Sequence, residues 1–318
     1  MGLRARLAGL AALALSCAAT PLSAGDADNP LAVFQQREGR LFDTGWQLAR
    51  ANRAYCGRRE PSIGLLIHDA SNYARSDEVR RALSLEGDIG VQAVASGSPA
   101  ASAGAQVNRT IFALDGTPLE ERFTPTQPSV ERTLRIEQAM ATSLADGVID
   151  LQFSRPVGEV SLRGVETCAA TFRLEPGKRA YAGDETVFFG DSFMAFGLSK
   201  DAFAAAVAHE LAHVVLAHPA RKLAEDWGMH ETRESERVAD RMMPWLLFNA
   251  GYDPQGAAQF MRAWGPKHSG GLLRKRTHDG WDERLQVIEE EIAILDAQIR
   301  RNRWKPGEAD WASRFAEN

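Results

Sequence analysis

The chain is short of cysteine, of long apolar runs and of any strong charge imbalance, and each shortage narrows what it can be. Only three cysteines stand in 318 residues. The formal net charge is −5, mild for this length. It argues against a dedicated nucleic-acid binder, which carries a basic face. The short run Arg274-Lys275-Arg276 reads as a solvated loop rather than a nucleic-acid patch. Beyond the N-terminus, no segment reaches the roughly 18 uninterrupted apolar residues of a membrane helix. A soluble mature protein is therefore expected. What remains is ordinary globular composition, 44% hydrophobic and 25% charged, with length enough for a large core and two domains.

The first 24 residues read as an export signal. Arg4 and Arg6 supply positive charge, Leu7 to Leu15 is apolar but short, and small residues lead into Ala24-Gly25. The expected location is the periplasm or another extracytoplasmic space. A lipoprotein reading competes, because Cys17 sits where a lipidated cysteine would. Ala14-Leu15-Ser16 is a poor approach to such a site. Once Cys17 leaves with the signal, Cys56 and Cys168 remain. An oxidising compartment favours a disulfide between them over two buried thiols.

Four stretches follow the signal. Residues 25–84 begin with a helical pattern around Leu41, Trp46 and Leu48, then give an apolar strand-like run from Ile63 to Ile67. Residues 85–165 change character. Val91, Ala93 and Ala95 alternate with polar or small residues, and Ser98-Pro99-Ala100 to Ala103-Gly104 and Asp115-Gly116 punctuate the segment. A helix is expected over Glu131 to Leu144, with strands at Val148 to Phe153 and Glu159 to Leu162. Residues 166–305 start with a strand, Thr186 to Phe189, placed to border a cleft and pair with an extended peptide. They then turn helical. Ser199 is the expected N-cap of a helix over Ala202 to Ala217, stopped by Pro219. A second helix is expected over Glu234 to Asn249, capped by Gly251. A third, opened by Asp253 and Pro254, should run to Trp264 before Gly265-Pro266. Glu283 to Arg303 reads as a long charged helix. Residues 306–318 read as a polar, mobile tail.

The chemistry is concentrated in His209-Glu210-Leu211-Ala212-His213. Residues four apart lie about 40° apart around a helix, so both imidazoles can address one ion. Glu210 is offset by one position and can reach a metal-bound water without taking a coordination place. It is the expected general base. A pattern of this kind arises by chance on the order of once in a hundred chains of this composition. Two plain core histidines are the bland alternative, but unpaired buried imidazoles cost free energy.

The third ligand decides the subclass. One known solution places a third histidine on the same stretch, but Leu216 and Pro219 occupy the positions it needs. His218 stands nine positions after His209, about 180° round a continuous helix, and is expected to face away as a surface or helix-end residue. The other solution is a carboxylate from a downstream helix. Glu236 supplies it, and Asp240, on the same helix face, can accept a hydrogen bond from a ligand histidine. Glu234 competes as a ligand, but it points to a different face. A solvated charged face with Arg233, Arg237 and Arg241 is the alternative for this segment.

The residues His209 to His213, Glu236 to Arg241 and Asn249-Ala250-Gly251-Tyr252-Asp253-Pro254 together resemble the M48 family of metallopeptidases over residues 171–295. Thr277-His278 with Glu283-Arg284 resembles a late family segment, with Asp279 where proline usually follows. The resemblance implies an α+β protein with a mostly helical gluzincin-type core and a small sheet, one zinc ion on His209, His213 and Glu236, and Glu210 as base. Residues 85–165 resemble a bacterial PDZ domain, with Asn108-Arg109 where Gly-Asp is usual. His278, on a basic loop behind Gly270-Gly271, is a candidate to stabilise the oxyanion or fill the open zinc position, weighed against a loop histidine with no role. Arg284 has similar standing. His68, His230 and His268 show no partner spacing. The expected function is zinc-dependent hydrolysis of polypeptide substrates, unfolded envelope proteins among them. The alternative is a latent zinc- and peptide-binding protein with a chaperone-like role.

Overall fold

The computed structural model of the protein describes residues 30–125, 130–268 and 280–315. The expected export signal, Cys17 and His278 lie outside those residues. In chain order the elements begin with helix α1 (Pro30–Ala51), strands β1 (Arg59–Ser62) and β2 (Leu65–Asp69), α2 (Ser76–Ala82), β3 (Ile89–Val94) and α3 (Pro99–Ser102). Next come β4 (Ile111–Leu114), β5 (Thr117–Pro118), α4 (Leu119–Arg122), α5 (Glu131–Ala145), β6 (Val148–Phe153), β7 (Glu159–Arg163) and β8 (Val165–Cys168). The remainder is β9 (Thr171–Glu175), β10 (Ala180–Ala182), β11 (Thr186–Gly190), then α6 (Lys200–Val215), α7 (His218–Ala224), α8 (Met229–Asn249), α9 (Gly256–His268), α10 (Trp281–Asn302) and α11 (Trp311–Phe315). The protein is of mixed α+β class, as expected.

Two large clusters of buried side chains organise these elements. One gathers Ile63, Ile67, Val91, Leu114, Ile136, Leu151 and Leu162, from strands β2 to β7 and helix α5. Its four-stranded sheet runs β5-β4-β6-β7, all antiparallel, while β2 and β3 pair separately. The β2–β3 pair joins residues on either side of the expected boundary at 85. Asp115 and Gly116 both take positive φ between β4 and β5, the backbone that a tight hairpin turn requires. Asn108 also takes positive φ, 65°, and its side chain accepts a hydrogen bond from Gln35 on α1 at 2.8 Å. Asparagine tolerates the left-handed region better than other non-glycine residues. Arg132 on α5, almost wholly buried, donates to Asp69 at the end of β2 and to Asp88 before β3, which fixes the helix to that strand pair.

The other cluster holds α1, the sheet β10-β11-β9 and helices α6, α8, α9, α10 and α11. Helix α6 lies at its centre, apolar on nearly every face, as an interior helix must be. Ser199 caps it as expected, its Oγ accepting from Ala202 N at 3.3 Å. α1 lies on β9, where any side chain at Gly45 would meet the Phe172 ring at 2.3 Å. The buried Glu38 of α1 accepts from Gln92 on β3 and from Leu174 N on β9, linking the two halves. Cys56 and Cys168 form the expected disulfide, next to the β1–β8 pair.

Four expectations need correction. Strand β11 does form over Thr186–Gly190, but it pairs with β10 on one side and β9 on the other, so neither of its edges can take a peptide. Helix α8 starts at Met229, where Gly228 N donates to Glu231 Oε2 at 3.0 Å and caps the first turn. Helix α9 runs past Gly265-Pro266 to His268. Gly265 answers to packing there, since a Cβ would lie 2.6 Å from Trp281 Cβ. The expected mobile tail docks instead. Trp311 and Phe315 are 3% and 2% exposed, and Asn249 holds the preceding Ala309 through both its N–H and its carbonyl oxygen. No helix among the described residues is long and apolar enough to cross a membrane.

His68 on β2 is buried against Gly90 and Leu85, and neither of its ring nitrogens has a hydrogen-bond partner. Burial pushes its pKa down to about 4. The neutral ring is therefore the folded form, while the unfolded chain binds a proton near pH 6.5. Stability from this residue is present above that value and is lost as pH falls toward 4. Urea unfolding between about pH 7 and about pH 4 should show the wild type losing roughly 3 kcal/mol more than His68→Leu. Equal losses would show that His68 does not carry this acid sensitivity.

Candidate metal centre

Helix α6 places His209 and His213 one turn apart, with ring centroids separated by 5.0 Å. Their Nε2 atoms converge to 3.3 Å. Helix α8 crosses α6 and delivers Glu236, whose Oε2 lies 3.4 Å from His209 Nε2 and whose Oε1 lies 3.6 Å from His213 Nε2. Buried alanines on both helices, Ala208, Ala212 and Ala239, suit the close approach. The three side chains form a group able to hold a metal ion.

Two tests of fit come from the geometry. A four-coordinate ion with nitrogen and oxygen ligands at about 2.0–2.2 Å puts its ligands about 3.3–3.6 Å apart, the edges of a tetrahedron. The two Nε2 atoms, 3.3 Å apart, fall in that span, and each has one Glu236 oxygen beside it, Oε2 at 3.4 Å from His209 and Oε1 at 3.6 Å from His213. The second test is charge. Burial disfavours the charged form of His209, but the nearby Asp240 and Glu236 carboxylates overcome it and raise its pKa. Burial, followed by the charge on His209, lowers that of His213. The metal-free site thus favours positive charge beside the Asp240 and Glu236 carboxylates.

Behind the ligands stands a second row of charged groups. Asp240 Oδ1 lies 3.2 Å from His209 Nδ1, though not in line for a good hydrogen bond. Asp240 also receives two hydrogen bonds from Arg284 on α10, Nε to Oδ2 at 2.6 Å and Nη2 to Oδ1 at 2.8 Å. Arg284 Nη2 is 3.7 Å from Glu236 Oε2. Burial opposes the ionisation of Asp240, but Arg284 and His209 more than offset it, so its carboxyl titrates below the usual range. Arg284 is likewise kept protonated by these carboxylates despite burial, with Glu210 contributing. Arg284, weighed from sequence as an oxyanion donor, is instead committed to Asp240. Glu210 is half-buried beside His209, near enough for its charge to act on Arg284.

His218 requires a correction. It does not face away. Helix α6 ends at Val215, and Ala217 takes the left-handed conformation at φ 53°, which turns the chain back. His218 is 6% exposed and its Nδ1 lies 2.9 Å from His213 Nδ1. The 180° offset assumed a helix that continues, and this one does not. Pro219 starts α7 rather than merely stopping α6. Sequence reasoning missed this contact, and a left-handed alanine leaves no signal by which to find it. Glu234, the rejected competitor, pairs with Arg237 on the exposed side. His230 is exposed, and His268 stacks on Trp264.

Comparison with known proteins returns nothing to lean on: no family model matches the chain, nor does any curated protein or solved structure.

Removing Arg284 leaves Asp240 and Glu236 buried beside an unbalanced charge, a loss of the kind that costs about 3–5 kcal/mol. Arg284→Met should lower the unfolding free energy of metal-free protein by that amount in urea titrations. A change under about 1 kcal/mol would show that the pair contributes nothing net.

Proposed function

We propose that the protein is a zinc-dependent endopeptidase of the gluzincin kind, related to the M48 metallopeptidases. In this reading His209, His213 and Glu236 hold one zinc ion and Glu210 is the general base. The observation that carries it is the convergence of the His209 and His213 Nε2 atoms, 3.3 Å apart, on the Glu236 carboxylate of the facing helix, with Glu210 next to His209 in the chain. When bound, zinc supplies Lewis-acid activation of water and of the peptide carbonyl. Glu210 takes a proton from the attacking water as its oxygen adds to the carbonyl carbon, and returns it to the amine as the carbon–nitrogen bond breaks. Asp240 orients His209 and Arg284 orients Asp240.

The substrate lies along β10. Its inner edge pairs with β11, no strand pairs with its outer edge among the described residues, and the strand packs against α6. An extended polypeptide adds there by backbone hydrogen bonds, with Tyr181 exposed on the strand. Residues 166–305 make the peptidase core, onto which α1 and α11 pack, and residues 85–165 together with β2 make the PDZ-like module, supported by the Asp115-Gly116 hairpin and by Asn108 in the conformation that glycine usually supplies. Unfolded or misassembled exported proteins are the substrate class, in keeping with the signal-like N-terminus. The other reading is a latent zinc- and peptide-binding protein with a chaperone-like role. An acidic residue in the general-base position disfavours it, because a structural metal site needs no base.

Purified protein with quantified zinc should degrade casein. Glu210→Gln should bind equal zinc and lose at least about a hundredfold in rate, the usual contribution of a general base. One equivalent of zinc with no cleavage by either protein would favour the latent reading.

A further inference from the structure

The two histidines of the site are not supported alike. His209 has a carboxylate, Asp240, beside its Nδ1. His213 has a second imidazole there, with Nδ1 to Nδ1 at 2.9 Å. Histidine presents a lone pair to a metal through one nitrogen only when the other carries the proton, so the partner of the second nitrogen sets the tautomer. Between two imidazole nitrogens one must donate and the other accept.

We propose that His218 is a positioning residue for the metal centre, accepting the Nδ1 proton of His213 so that His213 Nε2 keeps its lone pair toward Glu236 and His209. The inference rests on the reading of the site as a metal centre. Three observations support it. His213 Nε2 is the nitrogen that faces the other two ligands, so Nδ1 must be the protonated one. His218 is buried and its ring is fenced by those of His213 and Trp227, at 4.9 Å and 5.7 Å between centroids. The backbone reaches this arrangement only through Ala217 at positive φ, a conformation that alanine adopts at a cost. The structure thus takes on local strain at the residue that brings His218 onto His213. In this arrangement the proton of His218 sits on its own Nε2.

The test uses full-length mature protein and two substitutions. His218→Phe keeps a ring and removes the acceptor. His218→Asn keeps an oxygen close to the place of Nδ1. Chelator competition should show His218→Phe binding zinc 10- to 100-fold more weakly, the usual loss for a partner behind a metal ligand, and His218→Asn recovering most of it. Equal zinc affinity in wild type and His218→Phe, or no recovery in His218→Asn, overturns the assignment. Should His218→Phe fail to fold, nitrogen-15 NMR of histidine-labelled, metal-free wild type decides instead. His213 protonated on Nδ1 supports the proposal and His213 protonated on Nε2 overturns it. This second readout needs neither zinc nor peptidase activity. A wild type that binds no zinc therefore defeats the metal-centre reading without being mistaken for the loss of the His218 contact.

Discussion

Every charged group in the centre depends on one buried ion pair, Arg284 with Asp240. Two carboxylates and two imidazoles have been taken out of water onto facing helices, and such groups are tolerated only when paired and hydrogen-bonded. Arg284 is the fixed positive charge among them. It also joins three helices, since it comes from α10, grips α8 and acts through Asp240 on α6. The packing of α10 against α8 and α9 is therefore part of the site's electrostatics and not only of its scaffold. The order of influence runs inward: the helix bundle sets Arg284, Arg284 sets Asp240, and Asp240 sets His209.

The same logic recurs elsewhere in the fold. Arg132 is buried between Asp69 and Asp88, and Glu291 on α10 accepts from Arg241, Trp245 and Arg314. Each of these clusters ties segments distant in sequence. Glu291 also holds α11 to the bundle through Arg314, adding to the burial of Trp311 and Phe315. A charge buried with full partners gives directional contacts that an apolar core lacks, at some cost in desolvation.

The candidate metal site was legible because its pattern is local. His209 and His213 are related by one helical turn, and the period of a helix is read without knowing the fold. Glu236 was legible through its offset from Asp240 on a second helix. The disulfide followed from the cysteine count together with the expected export. Other features depended on contacts that sequence spacing does not encode. Whether β11 was an edge or a central strand turned on β9 and β10, one of them parallel to it. α11 is too short for a period, and its burial comes from Asn52 and Asn249 far away in the chain. His218 was misplaced because a single left-handed residue, Ala217, resets the direction that helical geometry extrapolates.

The disulfide has a consequence for the chain as a covalent object. Cys56 and Cys168 are separated by 112 positions, and the segment between them contains all of the β2-to-β7 cluster. That whole unit lies within a covalent ring that the one disulfide bond closes. A backbone cut anywhere within the ring leaves a single covalent molecule, so damage to the unit does not sever α1 from the helices that carry His209, His213 and Glu236. Only when the bond is reduced does such a cut leave α1 covalently separate, held then by its packing and by contacts such as that of Glu38 to β9.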